Sequence, residues 1–413
     1  MTAALATPVR RLRPLVLINL AALLSATGNG ITIVALPWLV LQQTGRATDA
    51  AIVAGAAALP LLLSSLFSGT VIDRFGRRVT SLVSDSLSAI SVAAIPIVAA
   101  TVGLSVPIIA VLAAIGEVFD PAGAAARESM LPAATREAGW TLDRVNSVYE
   151  ASFNVAFLFG PGIGGAMIGL LGAENTLWVT AAFFVASIVT VAFLRLDGTG
   201  TPDVETRPSS ILSGTVEGLK FVWHSRLLRT IALVDMVIVA LYLPIEGVLF
   251  PAYFTELQKP AQLGWILMAF SVGGIVGALA YGELAARFRR RTLMLAAVSG
   301  LGTCSVGMAF LPPLWGMLTL GAMIGLVFGP VGPIVNYAMQ SRSPEHMRGR
   351  VVGVMTSSAY AAGPLGYLIA GPLIDSVGVQ ATFFCLSIPL VAVAAVCFAL
   401  PALRELDERE PVQ

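Results

Sequence analysis

The sequence predicts an all-α integral membrane fold: twelve transmembrane helices arranged as two pseudo-symmetric six-helix bundles. Three observations support this prediction. Hydrophobic residues make up 56% of the 413 residues and charged residues only 12%, which is more apolar surface than a soluble core buries. Twelve apolar stretches are each long enough to cross about 30 Å of hydrocarbon, which takes roughly 20 residues. Motifs of the first half also return in the second half.

Charged or glycine-containing turns separate the apolar stretches from one another. The predicted spans of the first half are residues 15–42, 51–72, 79–100, 106–126, 145–171 and 177–194. Those of the second half are 227–254, 263–286, 293–311, 314–339, 351–374 and 379–400. We therefore predict an N-terminal bundle over 1–197, a connection over 198–226 and a C-terminal bundle over 227–413. Within the connection, 197–210 is rich in Gly, Pro, Thr and Ser and predicts a flexible linker, and 211–224 has the apolar spacing of a short interfacial helix.

The distribution of basic residues predicts the orientation. If both termini are cytoplasmic, only Arg46 and Lys259 of the 25 Lys and Arg residues fall outside. The positive-inside rule favours this arrangement, and an odd number of spans would destroy it. The sequence therefore predicts a multi-pass protein of the cytoplasmic membrane.

Composition excludes several other classes of protein. The net charge of +1 gives no basic surface for nucleic acid. Cys304, Cys385 and Cys397 all fall inside predicted spans, which disfavours disulfides and zinc sites. Both histidines, His224 and His346, are cytoplasmic in this topology, and the sequence contains no GxxxxGK[ST] loop. A membrane-embedded enzyme is therefore only a remote alternative, and we expect neither a metal nor a cofactor.

The repeats indicate that the chain contains two related halves. GTVIDRFGRR, residues 69–78, returns as GELAARFRRR, residues 282–291. The set Phe119, Pro121, Gly123 and Met130 returns, at a constant offset, as Phe328, Pro330, Gly332 and Met339. Parallel six-helix repeats predict a pseudo-two-fold axis along the membrane normal, with a substrate site near mid-membrane between the halves.

These motifs resemble those of a known family. GTVIDRFGRR is similar to the loop motif between the second and third helices of the major facilitator superfamily. FGPGIGG, residues 159–165, resembles the fifth-helix motif of its drug/proton antiporters. The runs DRVNSVYEASFNVAFLFGPGIGG, LYLPIEGVLFPAYF and MRGRVVGVMTSSAYAAGPLG are similar to the Tap-type multidrug efflux pumps. The resemblance implies export of tetracyclines and aminoglycosides, powered by a proton gradient, by a monomer in the lipid bilayer.

The loop motif has a physical interpretation of its own. A carboxylate at position 73 can accept hydrogen bonds at a helix N-terminus, which the resemblance places on helix eleven. The resemblance also pairs Asp120, which lies about 9 Å from the cytoplasmic end of predicted helix four, with Arg77. The alternative is a simple topology anchor. The predicted cytoplasmic latch comprises Gly69, Asp73, Arg74, Gly76, Arg77, Arg78 and Asp120. In the second copy Ala286 replaces the Asp, so we expect a degraded latch there.

The fifth-helix motif combines small residues with a helix breaker. Gly160, Gly164 and Gly165 are spaced for close contact between helix backbones, and Pro161 predicts a kink. The resemblance implies that this kink also limits leakage.

Six acidic residues fall within the predicted spans and away from their ends: Asp85, Glu117, Asp120, Glu150, Asp235 and Glu246. An ionised side chain at the membrane centre costs about 2.5–3.5 kcal/mol, so each must be protonated, paired or in contact with water. No Lys or Arg falls inside a predicted span core, which leaves most of these acids without a cationic partner in the membrane.

Two polar stripes suggest a transport site. Asp235, Tyr242 and Glu246, at i, i+7 and i+11, lie within about 20° of one line on a straight helix. Asn146, Glu150 and Asn154 form a second stripe on helix five. We predict that Asp235 and Glu246 exchange protons for a cationic drug, with Glu150 and Asn154 on the cytoplasmic side of the cavity. The alternative is that these acids only hold helices together.

Other residues are weaker candidates. Glu117 lies near the midplane and is a second proton-coupling candidate, whereas Asp85 is predicted to pair with the loop arginines. Four aromatic residues could stack on a flat drug: Tyr242, Trp265, Tyr337 and Tyr360. Two flexible side chains, Met268 and Met355, could adapt to drugs of different shapes. A rival within transport is export of a siderophore, lipid or other endogenous amphiphile without proton coupling.

Overall fold

The computed structural model describes residues 11–196, 211–344 and 347–407, and within these ranges all regular elements are helical. The first half contains α1 Arg13–Thr44, α2 Ala47–Phe75, α3 Arg77–Thr101, α4 Val106–Glu117, α5 Asp120–Ser129, α6 Leu131–Ala138, α7 Leu142–Leu171 and α8 Ala173–Ala192. The remainder contains α9 Ile211–His224, α10 Arg226–Pro244, α11 Phe250–Glu256, α12 Pro260–Arg287, α13 Arg290–Ala309, α14 Leu314–Phe328, α15 Val331–Arg342 and α16 Arg348–Ala399. The predicted linker, 197–210, and His346 lie outside the described residues.

The last helix accounts for two spans. Among the described residues, 11 helical stretches are apolar and long enough to cross a membrane, and the last of them, Arg350–Ala399, has 50 residues. A straight rod of that length would measure about 75 Å, more than twice the hydrocarbon thickness. Gly378 interrupts it with φ +82°, a conformation that side chains disfavour. The chain therefore divides at Gly378, and the prediction of a twelve-helix membrane fold is confirmed.

The fourth and tenth spans are broken at equivalent places. α4 ends at Glu117 and α5 begins at Asp120, while α14 ends at Phe328 and α15 begins at Val331. A proline lies at each break: Pro121 is the second residue of α5, and Pro330 lies between α14 and α15. Proline removes a backbone hydrogen bond and crowds the preceding turn. The repeated Phe and Pro residues thus mark a kink that both halves share.

The fourth span is also longer than the sequence suggested. It runs from Val106 to Ala138 in place of 106–126. Asp120 therefore lies near the middle of this helical stretch.

The seventh span contains an irregular segment where Pro244 predicted a bend. Between α10 and α11, Ile245–Leu249 form a π-helical turn that includes Glu246. Such turns widen the helix by one residue and are frequent at functional sites. This distortion sets the direction of the Glu246 side chain.

The two halves meet along two helix pairs, α2 with α16 and α7 with α12. On α7, a Cβ built on Gly165 would lie 2.5 Å from the Pro260 carbonyl oxygen and 3.2 Å from Gly264 Cα. On α16, a Cβ built on Gly371 would lie 2.5 Å from Ala51 Cβ. Both contacts lie near the ends of helices that the charge distribution predicts to be extracellular, called the outer end below. The halves are therefore tightly packed at the outer end.

Candidate drug cavity and buried polar groups

One cavity lies between helices of both halves and has a volume of about 270 Å³. Two of its residues come from α7, two from the seventh span, and the rest from α12, α13 and the tenth span. They are Asn154, Phe157, Tyr242, Glu246, Phe270, Ser271, Gly274, Ile275, Leu301, Ile324, Gly325, Phe328 and Gly329. The structure thus brings together three residues that the sequence proposed for one site, namely Asn154, Tyr242 and Glu246.

Glu246 is the acidic residue in this lining. Among the described residues, its carboxylate forms no hydrogen bond and no ion pair. The hydroxyl groups of Tyr242 and Tyr367 both lie within electrostatic range of it. Tyr367 is held close because Gly247 leaves room for it: a Cβ built on Gly247 would lie 2.7 Å from the Tyr367 hydroxyl. An ionised Glu246 carboxylate would therefore be surrounded by the phenol groups of Tyr242 and Tyr367 and by the cavity. Among the described residues, it would have no cation as a partner.

Aromatic rings form one side of the cavity. The Tyr242 and Phe270 ring centroids are 6.1 Å apart in an edge-on arrangement. Phe270 in turn lies 5.9 Å from Phe250, which contacts Phe383 at 5.5 Å. Edge-on pairs of this kind are stable and present flat apolar faces. The cavity therefore combines an aromatic surface, one carboxylate and the amide of Asn154.

Other predicted contact residues lie elsewhere. Asp235 is partly exposed and Glu150 exposed, and neither belongs to the lining of this cavity. Trp265 is 49% exposed, and Tyr337 lies under the Arg290 guanidinium, with 3.8 Å between Arg290 Cζ and the ring centroid. Met268 packs against Gly162 on α7, where it helps to join the halves.

A buried ion pair in the first half corrects the sequence analysis. Arg127 Nη1 lies 3.1 Å from Asp85 Oδ2, and the two residues are 3% and 0% exposed. Ser187 Oγ donates to Asp85 at 2.7 Å, and Ser25 Oγ donates to it at 2.9 Å.

The expectation that the span cores hold no basic residue was wrong, because the fourth span continues past its predicted end. Asp85 pairs with Arg127 in place of the loop arginines. The signal was present in the helix-forming run of alanines directly before Arg127.

The predicted cytoplasmic latch shows different partners from those expected. Asp120 accepts a hydrogen bond from Asn29 Nδ2 at 3.0 Å, in place of one from Arg77. Arg78 donates to the carbonyl oxygens of Val191 and Ala192 at the end of α8, where a cation complements the helix dipole. Gly76 joins α2 to α3 with φ +84°, and Arg74 lies 5.8 Å from the Phe75 ring. The side chain of Asp73 and the surroundings of Gly69 lie outside the described part of the structure.

The glycines of the fifth helix lie at two helix crossings. A Cβ built on Gly160 would lie 2.8 Å from Gly30 Cα on α1, and one on Gly164 would lie 3.2 Å from Ile31 Cα. Gly165 faces Gly264 on α12, as described above. Pro161 stays within the helix, and a Cβ on Gly30 would lie 3.1 Å from its ring. α7 therefore packs against α1 of its own half through Gly160 and Gly164, and against α12 of the other half through Gly165.

Comparisons with known proteins agree with this architecture. A family model described as transmembrane secretion effector matches residues 4–412. The multidrug efflux pump Tap of Mycolicibacterium fortuitum is 55% identical over 397 residues, covering 95% of this chain and 97% of that protein. Tap of Mycobacterium tuberculosis is 54% identical over 397 residues, with 95% of each chain covered.

Among solved structures, the nucleoside transporter NupG superposes with a TM-score of 0.77 at 12% identity, covering 94% of this chain and 98% of that one. At this identity the likeness concerns the fold alone. The identity to the Tap proteins extends over nearly the whole chain. The chain therefore belongs to the Tap-type multidrug efflux pumps of the major facilitator superfamily, and it is a multi-pass membrane transporter that exports drugs.

Proposed function

We propose that the protein exports amphipathic or cationic drugs of the tetracycline and aminoglycoside type in exchange for protons, by alternating access. The observation that carries this proposal is Glu246, a carboxylate that lines the interhelical cavity and has no cationic partner among the described residues. The proton gradient supplies the energy, no cofactor takes part, and a monomer contains the complete site.

The cost of charge in the membrane supports exchange at Glu246. An ionised group there costs about 2.5–3.5 kcal/mol unless it is compensated. In the empty cavity a bound proton removes this cost, and in the loaded cavity the positive charge of a drug does so. Proton and cationic drug therefore compete for the same carboxylate, which is the requirement for antiport at a single group.

The shape of the cavity supports a flat amphipathic substrate. Ligand pockets for drug-sized molecules measure roughly 300–1,000 Å³, so the cavity of about 270 Å³ has to widen slightly to hold one. The π-helical turn at Ile245–Leu249 is a natural place for this adjustment, because its hydrogen bonding differs from that of the flanking α-helix. Tyr242 and Phe270 then offer ring faces for stacking.

The packing of the outer end supports alternating access. Gly165 lies against Gly264, and Asp375 binds the N-terminus of α2, so the halves are closed on that side. Export by alternating access requires these outer contacts to separate. Rocking of the two halves about a central site achieves this.

Uptake into reconstituted vesicles tests the proposal. Tetracycline and an aminoglycoside should be transported by the wild-type protein only when a pH gradient is imposed. Glu246→Gln should reduce transport of the aminoglycoside, the cationic drug of the two, at least tenfold. The neutral amide neither carries a proton nor balances the positive charge of the drug. Glu256→Gln, a change to an exposed acid at the end of the same span, is the matched control and should transport normally. Export that continues unchanged after collapse of the pH gradient would contradict proton antiport.

A further inference from the structure

The helix that precedes the seventh span, α9, leaves an apolar face uncovered. Val216, Leu219 and Trp223 are 45%, 51% and 56% exposed. At 100° per residue they lie within about 60° of one another around the helix axis. We call these three residues the exposed stripe of α9. Exposed apolar residues that cluster in this way mark a surface that contacts a partner or a membrane, whereas isolated ones do not.

Another side of α9 is fixed to the rest of the transporter. Val222 is 3% exposed, and a Cβ built on Gly218 would lie 3.1 Å from Arg350 Cβ on α16. The Arg350 guanidinium also forms an ion pair with Glu217. α9 contacts α10 and α16 of the second half and α2 of the first half. These contacts set the orientation of the helix, and the exposed stripe is turned about 110° away from Gly218 and Val222.

The position of α9 along the membrane normal follows from its neighbours in the chain. The seventh span begins at Arg226, two residues after the end of α9, and reaches Glu256 close to Pro260 at the outer end. α9 therefore lies at the opposite end, which the charge distribution predicts to be cytoplasmic. A helix that directly precedes a span lies at the level where the chain enters the hydrocarbon, in the headgroup region.

Basic residues flank the exposed stripe. Lys220 lies on α9 beside the stripe, and Arg226 begins α10; both are exposed. The Arg229 guanidinium lies next to Trp223, with 5.7 Å between Arg229 Cζ and the ring centroid, and it donates to the Trp223 carbonyl oxygen at 3.2 Å. None of these three basic residues forms an ion pair among the described residues. The surface around the stripe therefore carries uncompensated positive charge.

An anionic bilayer surface matches both properties of this face. Apolar side chains with a tryptophan enter the boundary between headgroups and acyl chains, while flanking Lys and Arg side chains extend to the lipid phosphates. Negatively charged lipids of the cytoplasmic leaflet attract each basic residue near the surface.

The connection over 197–210 is the alternative cover for the stripe. Its acids, among them Asp203 and Glu205, match the positive charge, but Val204 is its one large apolar residue. A single valine offers too little apolar surface to cover three large side chains. The bilayer matches the apolar stripe as well as the charge, and we therefore favour it.

We propose that α9 is a docking surface for anionic phospholipid headgroups of the cytoplasmic leaflet. The exposed stripe enters the boundary of the bilayer, and Lys220, Arg226 and Arg229 contact the lipid phosphates. Because α9 contacts both α2 and α16, this docking ties the interface between the halves to the membrane surface. The inference is independent of proton exchange at Glu246, since it concerns lipid binding at another place in the fold.

Photocrosslinking of lipids to the reconstituted protein tests this inference. Vesicles of phosphatidylcholine contain a trace of photoreactive phosphatidylglycerol or, in parallel, of photoreactive phosphatidylcholine. Pepsin cleaves independently of Lys and Arg, and mass spectrometry counts the adducts on the peptide that contains Trp223. We expect wild-type protein to favour the anionic lipid over the zwitterionic one roughly tenfold at this peptide. The triple variant Lys220→Gln, Arg226→Gln and Arg229→Gln should label equally with both lipids.

Two further variants separate charge from folding. The triple variant Lys220→Arg, Arg226→Lys and Arg229→Lys keeps the charge and should keep the preference for the anionic lipid. A matched control removes three exposed arginines elsewhere on the side predicted to be cytoplasmic, and it should also label as wild type does. Its changes are Arg136→Gln, Arg287→Gln and Arg404→Gln. Thermal unfolding of each variant in detergent shows whether it is folded.

Several results would overturn the inference. Equal labelling of wild-type protein by both lipids excludes an anionic docking surface. If Asp203→Asn with Glu205→Gln then creates a preference, the connection covers the stripe instead. An equal loss in the matched control would show that only the net charge of the protein matters. Loss of the preference in the charge-keeping variant would exclude charge as its cause. If inorganic phosphate in the buffer abolishes the preference, the basic residues bind free phosphate and not a lipid surface.

Discussion

Asp375 and Thr48 join the two halves at the outer end. The Asp375 carboxylate, which lies three residues before the break at Gly378, accepts hydrogen bonds from the Thr48 backbone N–H at 2.9 Å and from Thr48 Oγ1. It also accepts one from the Ala47 backbone N–H at 2.7 Å. These donors form the first turn of α2, where the helix dipole favours a negative charge. An acidic side chain of one half thus caps a helix of the other, which is the arrangement predicted for Asp73 at the opposite end of the molecule.

Removal of this charge should loosen the outer end. We expect Asp375→Asn to shift the equilibrium towards outward-open protein by about 1 kcal/mol, roughly fivefold, because a neutral amide interacts more weakly with the helix N-terminus. Labelling of single cysteines across the outer end, or distance measurement between spin labels there, should report this shift. Asp49 lies in the same first turn of α2, and its side chain forms no hydrogen bond in the described structure. Asp49→Asn should therefore leave the distances across the outer end unchanged. Equal shifts in both variants would show that only net charge matters.

The buried pair of Asp85 and Arg127 should be needed for stability. Arg127→Gln leaves a buried carboxylate without its cation, and loss of one partner of a buried ion pair costs about 3–5 kcal/mol of unfolding free energy. Asp85→Asn combined with Arg127→Gln removes both charges and should recover most of this loss. Thermal unfolding of the purified protein in detergent measures both values. A double variant no more stable than Arg127→Gln alone would show that packing, and not charge, dominates at this position.

The contact between α7 and α12 should tolerate no side chain at Gly165. Gly165→Ala would place a methyl group 2.5 Å from the Pro260 carbonyl oxygen, and overpacking of this kind costs about 1–3 kcal/mol. We expect transport to fall severely because the outer end no longer closes. At Gly169, one turn further along, the nearest atom to an added Cβ is 3.8 Å away. Gly169→Ala should therefore transport and unfold as wild type does, and a defect equal to that of Gly165→Ala would refute the proposed role of the contact.

The size of the drug cavity should be adjustable at Gly274. A Cβ added there points into the cavity region and meets no atom closer than 4.0 Å, the Gly325 carbonyl oxygen. Gly274→Ala should keep its thermal stability and should reduce transport of tetracycline more than that of a smaller cation. Gly325→Ala, by contrast, would place a methyl group 2.0 Å from the Phe270 carbonyl oxygen and should destabilise the crossing of α12 with the tenth span. Competition between drugs of graded size, measured with both variants, checks this. An unchanged size preference in Gly274→Ala would exclude this surface from substrate contact.

Several features of the site were predictable from local sequence. Tyr242 and Glu246 were proposed from their spacing, and the structure places both in one cavity with Asn154. Their role in transport stays a prediction. Asp235 was grouped with them on the assumption of a straight α-helix, but the π-helical turn at Ile245–Leu249 changes the direction of Glu246 relative to Asp235. The distortion depends on how Pro244 and its neighbours pack against other helices, so spacing alone does not reveal it.

The sequence by itself determined the membrane fold of this protein, the number of its spans and the kinship of its halves. A run of about 20 apolar residues is long enough to cross the hydrocarbon core, and this constraint acts on each segment separately. Only the tertiary structure decided which polar groups meet. The pairing of Arg127 with Asp85, the bond from Asn29 to Asp120 and the cap of Asp375 on α2 each join residues far apart in the chain. In a medium without water, a buried charge is stabilised by whichever partner the packing of helices brings to it, and that partner is not encoded in the spacing along any one helix.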